Sequence, residues 1–259
     1  MKEKHLNSYR LFRYNLLCMK NSSKTMVKYM LFLLCPVFFP AQKSSYAKVP
    51  QNQFDLRGFD LQLPLPKNNS IVIIKGPDVS NFSSENFYYF PQDKSIRFFC
   101  SSDGQATKGS HYPRTELRQI KEWHFENKHS LQVKMSVWQQ PSSGKIIIGQ
   151  IHGSSKGTEA VKLWWNNGEI QAGFKKEVNG KEERVTLLKN IPLGQIFEYN
   201  IQQDGLNVQV KINQKNTTFT LGDSWKSESV YFKAGNYLQD NKTPVTSGTV
   251  AIYQIKMSQ

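Results

Sequence analysis

Tyr231-Phe-Lys-Ala-Gly-Asn-Tyr-Leu-Gln239 alternates with the two-residue period of a β-strand, and its chemistry falls on one side. Tyr231, Lys233, Gly235, Tyr237 and Gln239 share one face, and Phe232, Ala234, Asn236 and Leu238 share the other. The second face is mostly core. The first is a row of two phenols, an ammonium and an amide around a glycine, and a glycine in such a row leaves room for something to approach the backbone. The same period recurs over 71–74, 87–90, 96–100, 114–120, 131–138, 145–152, 161–165, 170–174, 197–202, 206–212, 217–221 and 249–257. Turn signals separate these runs, and Asn167-Gly168, Asn179-Gly180 and Asp204-Gly205 suit tight hairpins. Helical periodicity is almost absent. So many antiparallel strands in one domain must stack as two sheets, which predicts an all-β jelly-roll sandwich.

Outside that pattern stand residues 1–47. Lys20, Lys24 and Lys28 precede an apolar run over 29–39, and Ser45-Tyr46-Ala47 offers small residues where a signal peptidase inspects the chain. The run is short for a bilayer and is interrupted at Pro36 and Pro40, so an export signal is expected rather than a permanent anchor. Cleavage after Ala41 or after Ala47 satisfies the pattern, and Met19 or Met26 would serve as a start. Leu34 before Cys35 is bulkier than lipoprotein processing wants. The expected mature domain, 48–259, is secreted or periplasmic, with no membrane contact once the signal is gone.

Net charge alone does not choose among nucleic acid, a membrane surface and an acidic polysaccharide as the partner. The whole chain carries a formal +14. Residues 1–47 hold eight Lys or Arg and one Glu, so half of that excess stays with the mature domain. Its basic residues are dispersed, with no helix-turn-helix and no amphipathic basic helix, which argues against nucleic acid and for a polyanion outside the cell. No His, Cys or carboxylate set has metal-ligand spacing, so no metal and no cofactor is expected. Cys100, alone in the mature domain, has no partner for an internal disulfide, and its alternation with Ile96 and Phe98 reads as a buried small hydrophobe. Without a second cysteine to bridge chains, a monomer is expected.

Two further stretches share the polar-face habit of the first. In Arg114-Thr115-Glu116-Leu117-Arg118, alternation puts two guanidiniums on either side of a carboxylate that can hold and orient them. An arginine fork suits a substrate carboxylate, although a surface charge ladder has the same pattern. In Gly149-Gln150-Ile151-His152, an amide and an imidazole project together from a strand whose earlier residues, Ile146, Ile147 and Ile148, are all apolar.

Together, Arg-Thr-Glu-Leu-Arg, Gln-Ile-His and Tyr-Phe-Lys-Ala-Gly-Asn-Tyr-Leu-Gln, in this order, closely resemble the three signature blocks of alginate lyases of polysaccharide lyase family 7. The resemblance covers essentially the whole mature chain. It implies a jelly roll with a substrate cleft on its concave sheet and metal-free β-elimination of alginate, a polymer of mannuronate and guluronate. Carried over by motif position, Arg114 and Gln150 would neutralise the uronate carboxylate, Tyr237 would protonate the leaving oxygen, and His152 would take the C5 proton of guluronate. On mannuronate Tyr237 would serve as both acid and base. Arg118, Lys233, Tyr231 and Gln239 would grip adjacent sugars, with Glu116 orienting the arginines. Ile151 resembles members that act on guluronate or mixed blocks.

A non-catalytic uronate-binding module of the same fold would share the arginine and lysine contacts but has no need of His152 beside Gln150 facing Tyr237. A jelly-roll glycoside hydrolase needs two carboxylates flanking the bond, and the Glu-x-Asp-x-x-Glu spacing of such glucanases does not occur.

Overall fold

The computed structural model describes residues 46–155 and 157–258. The expected signal segment lies, except for its last two residues, outside them. Those two are joined to the fold: the Tyr46 ring sits 5.0 Å from that of Tyr88, and the Ala47 carbonyl accepts the Tyr89 N–H at 2.8 Å.

The strands run in chain order β1 (Phe59–Lys67), β2 (Ser70–Ile74), β3 (Phe87–Phe90), β4 (Ser95–Ser101), β5 (Arg114–Gln119), β6 (His129–Gln139), β7 (Lys145–Gly153), β8 (Glu159–Asn166), β9 (Glu169–Lys175), β10 (Glu182–Leu188), β11 (Phe197–Asp204), β12 (Asn207–Ile212), β13 (Lys215–Thr220), β14 (Val230–Leu238) and β15 (Ser247–Ser258). They form an eight-stranded sheet, β10-β9-β8-β7-β14-β5-β1-β2, and a seven-stranded sheet, β13-β12-β11-β6-β15-β4-β3. Every pairing is antiparallel. This is the two-sheet jelly roll that the alternation predicts.

Between the sheets lie Phe98, Val133, Trp165, Tyr199, Phe232 and their neighbours, all essentially without exposed surface. Two buried polar groups tie the layers together where an unpaired group would be costly. The Tyr199 hydroxyl donates to the Ile148 carbonyl at 3.0 Å, and the Asn236 amide donates to the Phe98 and Gly248 carbonyls at 3.1 and 2.8 Å. Cys100 is fully buried in this core, and burial pushes its thiol far above the ordinary range, as suits a packing residue and not a nucleophile.

Strands β1 and β10 escape the two-residue pattern. β1 contains Pro64 and Pro66 and slips register against β2 between Leu63 and Pro66, so its alternation is broken although Leu61 and Leu63 are fully buried. β10 is an edge strand, largely exposed and rich in charge, with no apolar face to announce it. Of the expected tight turns, Asn167-Gly168 is a two-residue hairpin with φ of 49° and 81°. Asp204 pairs with Asn207, so that turn sits one residue later, on Gly205 and Leu206. The segment around Asn179-Gly180 is a longer loop between β9 and β10.

Candidate active site

Strand β14 carries the site because of its neighbours. It lies between β5 and β7, so the three polar-faced stretches are adjacent in the sheet. Register then decides which side chains meet. Tyr237 pairs with Arg114, Gly235 with Glu116 and Lys233 with Arg118 on one side, while Lys233 pairs with Gln150 and Tyr231 with His152 on the other. A cleft of about 310 Å³ opens on this face of the eight-stranded sheet, lined among others by Gln62, Arg114, His152, Tyr231, Lys233 and Tyr237.

Beneath these groups, Glu116 is the hub. Its carboxylate has no exposed surface and reaches across β14: Oε2 accepts Lys233 Nζ at 2.5 Å and Arg114 Nη1 at 3.4 Å, and Oε1 accepts the Gln150 amide at 2.6 Å. Burial by itself would raise its pKa. Lys233, Arg114 and the Gln150 hydrogen bond outweigh that and hold it below the ordinary carboxylate range. Lys233 is pulled the other way: burial and the Arg114 charge lower it to about 8 against the attraction of Glu116, so it stays protonated at neutral pH. Two cations on one carboxylate leave the cleft floor net positive, which suits an anionic ligand.

Glu116 and Gln150 are completely buried, so Glu116 acts on the cleft through the groups it orients and touches no sugar itself. The expected pairing of Glu116 with both arginines is corrected. Arg118 turns from Glu116 to Glu122, lies with Cζ 3.8 Å from the centre of the Tyr231 ring, and donates to the Gln119 carbonyl at 3.0 Å; Lys233 is the second cation of Glu116. Gln239 falls beyond the end of β14 and turns its amide to the carbonyls of Tyr237 and Leu238, at 3.4 and 3.3 Å, apart from the cluster. Nor does Gly235 leave room for a ligand. Its φ of 140° belongs to the glycine region, and a Cβ there would stand 2.8 Å from the Thr115 carbonyl oxygen, so the space is taken by β5 itself. The register against β7 slips between Ala234 and Tyr237, a bulge at this glycine, just before the residue that returns its phenol to the cleft.

His152 is held as a neutral base. Its Nδ1 lies 2.6 Å from the Gly153 carbonyl, which can only accept, so the proton of the neutral ring belongs on Nδ1 and the lone pair on Nε2. Burial, with help from the Lys233 charge, lowers its pKa to about 4. The ring stacks on Tyr231 at 5.2 Å and 15°, with the Tyr231 hydroxyl 3.2 Å from Nδ1. Glu159 on β8 pairs with His152 across the strands and is itself bound by Lys175 at 3.3 Å and Lys162 at 3.7 Å. At the other end of the cleft, Tyr237 lays its ring against Arg114, with Cζ 3.6 Å from the ring centre, and its hydroxyl is 2.8 Å from Ser110 Oγ.

Ser110, Glu159 and Gln62 are among the cleft residues that sequence reasoning did not single out. Ser110 stands in a loop and Gln62 in the proline-broken strand, where no period marks them. Glu159 opens β8, two positions ahead of the recognisable run.

A jelly roll that presents arginine, lysine, a neutral imidazole and a phenol around one anion-attracting cleft has the parts of a polysaccharide lyase. The alginate lyase family model matches residues 54–259, and the chain belongs to that family. Among solved structures, a substrate complex (GGMG) of the family 7 alginate lyase A1-II′ is 28% identical, with a TM-score of 0.76 over 82% of this chain and 97% of that one. Alginate lyase PA1167 from Pseudomonas aeruginosa is 28% identical, with a TM-score of 0.74 over 80% of this chain and 100% of that one. The alginate lyase from Klebsiella pneumoniae, 19% identical with a TM-score of 0.72, shares the fold. No curated protein sequence matches the chain.

Proposed function

We propose that this enzyme, acting after export, cleaves the 1,4-glycosidic bonds of alginate by β-elimination, favouring guluronate or mixed blocks and leaving an unsaturated uronate at the new non-reducing end. The observation that carries this reading is the placing of a neutral His152 and a Tyr237 phenol on one cleft, with Arg114 between the phenol and the buried Glu116. Arg114 takes the uronate carboxylate. Lys233, tied to Glu116, completes the positive wall that withdraws charge from C5 as the enediolate forms, and the buried Gln150 amide holds Glu116 in place beneath it. His152 Nε2 removes the C5 proton of guluronate, the electron pair closes the C4–C5 double bond, the C4–O bond breaks, and Tyr237 hands its proton to the departing oxygen. On mannuronate, whose C5 proton lies on the other face of the ring, Tyr237 serves as base and acid in turn. Arg118 and Tyr231 support a neighbouring sugar. The Ala47–Tyr89 pairing favours removal of the signal after Ala41, which keeps that pair in the mature chain.

Purified Tyr237→Phe and His152→Asn variants, assayed on separate poly-mannuronate and poly-guluronate by ultraviolet absorbance of the unsaturated product, test the division of labour. Tyr237→Phe lowers kcat on both polymers by roughly a hundred- to ten-thousand-fold while binding persists. His152→Asn collapses turnover on guluronate and spares part of that on mannuronate. Near-normal turnover in Tyr237→Phe removes the acid from the mechanism. Equal losses on both polymers in His152→Asn move the histidine to the carboxylate-neutralising set.

A further inference from the structure

We propose that Ser110 is a positioning residue that aims the Tyr237 proton into the cleft and holds the phenolate left behind; the catalytic part of this inference rests on Tyr237 being the proton donor. A serine hydroxyl has one proton and two lone pairs. Two groups that can only donate approach Ser110 Oγ, the Tyr112 backbone N–H at 3.2 Å and Arg114 Nη2 at 3.0 Å. They fill both lone pairs. The third contact, 2.8 Å to the Tyr237 hydroxyl, then runs from serine to phenol. The Tyr112 carbonyl, which also lies within reach of the serine proton, is farther away at 3.1 Å.

The consequence is directional. With a hydrogen bond accepted from Ser110, the phenol keeps its own proton for another partner, and the guanidinium against its ring has no acceptor to offer. That leaves the cleft. When Tyr237 gives its proton to the departing glycosidic oxygen, the new phenolate keeps the bond from Ser110 and gains charge assistance from it, with Arg114 beside both. Ser110 thus couples the residue that takes the carboxylate to the one that protonates the leaving group, although 127 positions separate it from Tyr237.

Ser110→Ala and Ser110→Thr test this. Hydrogen bonds to charged groups are the stronger kind, so Ser110→Ala is expected to lower kcat about ten- to hundred-fold with KM changed less than about threefold. Ser110→Thr keeps the hydroxyl and restores most of the rate. The ¹³Cζ resonance of Tyr237, assigned by its absence in Tyr237→Phe, reports the bond without turnover: it shifts in Ser110→Ala and returns in Ser110→Thr. A rise in KM with kcat intact would overturn the proposal by assigning Ser110 to carboxylate binding through Arg114. An unmoved resonance would overturn it irrespective of activity. A shifted resonance in a protein whose Tyr237→Phe variant remains fully active would leave the Ser110 bond standing and reject the assignment of Tyr237 as acid.

Discussion

Replacing Glu116 by Gln keeps the volume of the hub and removes its charge. In the native arrangement one buried carboxylate neutralises Lys233 at 2.5 Å and supports Arg114 at 3.4 Å. Removing one partner of a buried ion pair costs about 3–5 kcal/mol, because the other charge is left uncompensated. Lys233 limits that loss by giving up its proton, since burial already draws it down to about 8 with the carboxylate in place. For a domain of this size each kcal/mol lowers Tm by about 2–4 °C, so Glu116→Gln is expected to melt roughly 6–20 °C lower at neutral pH. Acid narrows the gap. The folded carboxyl titrates below its unfolded value, so its contribution is fully present above the unfolded pKa and disappears as pH falls through the depressed folded one. Wild type and variant should therefore converge in Tm under strongly acidic conditions. Calorimetry across pH, with kcat and KM on alginate in parallel, reads both effects, and KM is expected to rise as Arg114 and Lys233 lose the carboxylate that orients them. A variant that melts within about 2 °C of wild type at neutral pH, with unchanged KM, would refute the assignment of Glu116 as the charge that organises the site.

His152, neutral down to about pH 4, should keep the acid limb of kcat/KM on poly-guluronate well below the histidine range near 6.5; an acid limb near 6.5 that disappears in His152→Asn would show that burial does not set its basicity. Gly235→Ala should destabilise the fold by more than about 2 kcal/mol, since it combines a φ of 140° with a Cβ 2.8 Å from the Thr115 carbonyl, and urea unfolding within about 1 kcal/mol of wild type would disprove the strain.

Alternation is a local property, written residue by residue, and it was enough to define the sheets and the faces of β5, β7 and β14. For the same reason it placed Arg114, His152, Lys233 and Tyr237 on polar faces that do line one cleft. Where the period is interrupted the signal fades: the prolines of β1 remove ladder donors, and edge strand β10 has no buried face to mark it. Which partner each charge takes depends on register between strands far apart in the chain. Spacing within Arg114-Thr115-Glu116-Leu117-Arg118 suggested one carboxylate held between two arginines. Packing β14 beside β5 instead brought Lys233 to Glu116, while the loop that follows β5 brought Glu122 to Arg118. The glycine in the polar row looked like space for a ligand until the neighbouring strand was seen to fill it. Burial decided the rest, because desolvation, which no spacing encodes, keeps His152 neutral and sinks Glu116 and Gln150 beneath the surface they organise. Ser110 belongs wholly to the tertiary structure: a loop serine carries no period, and only the closing of that loop over β14 sets its hydroxyl between the arginine and the phenol.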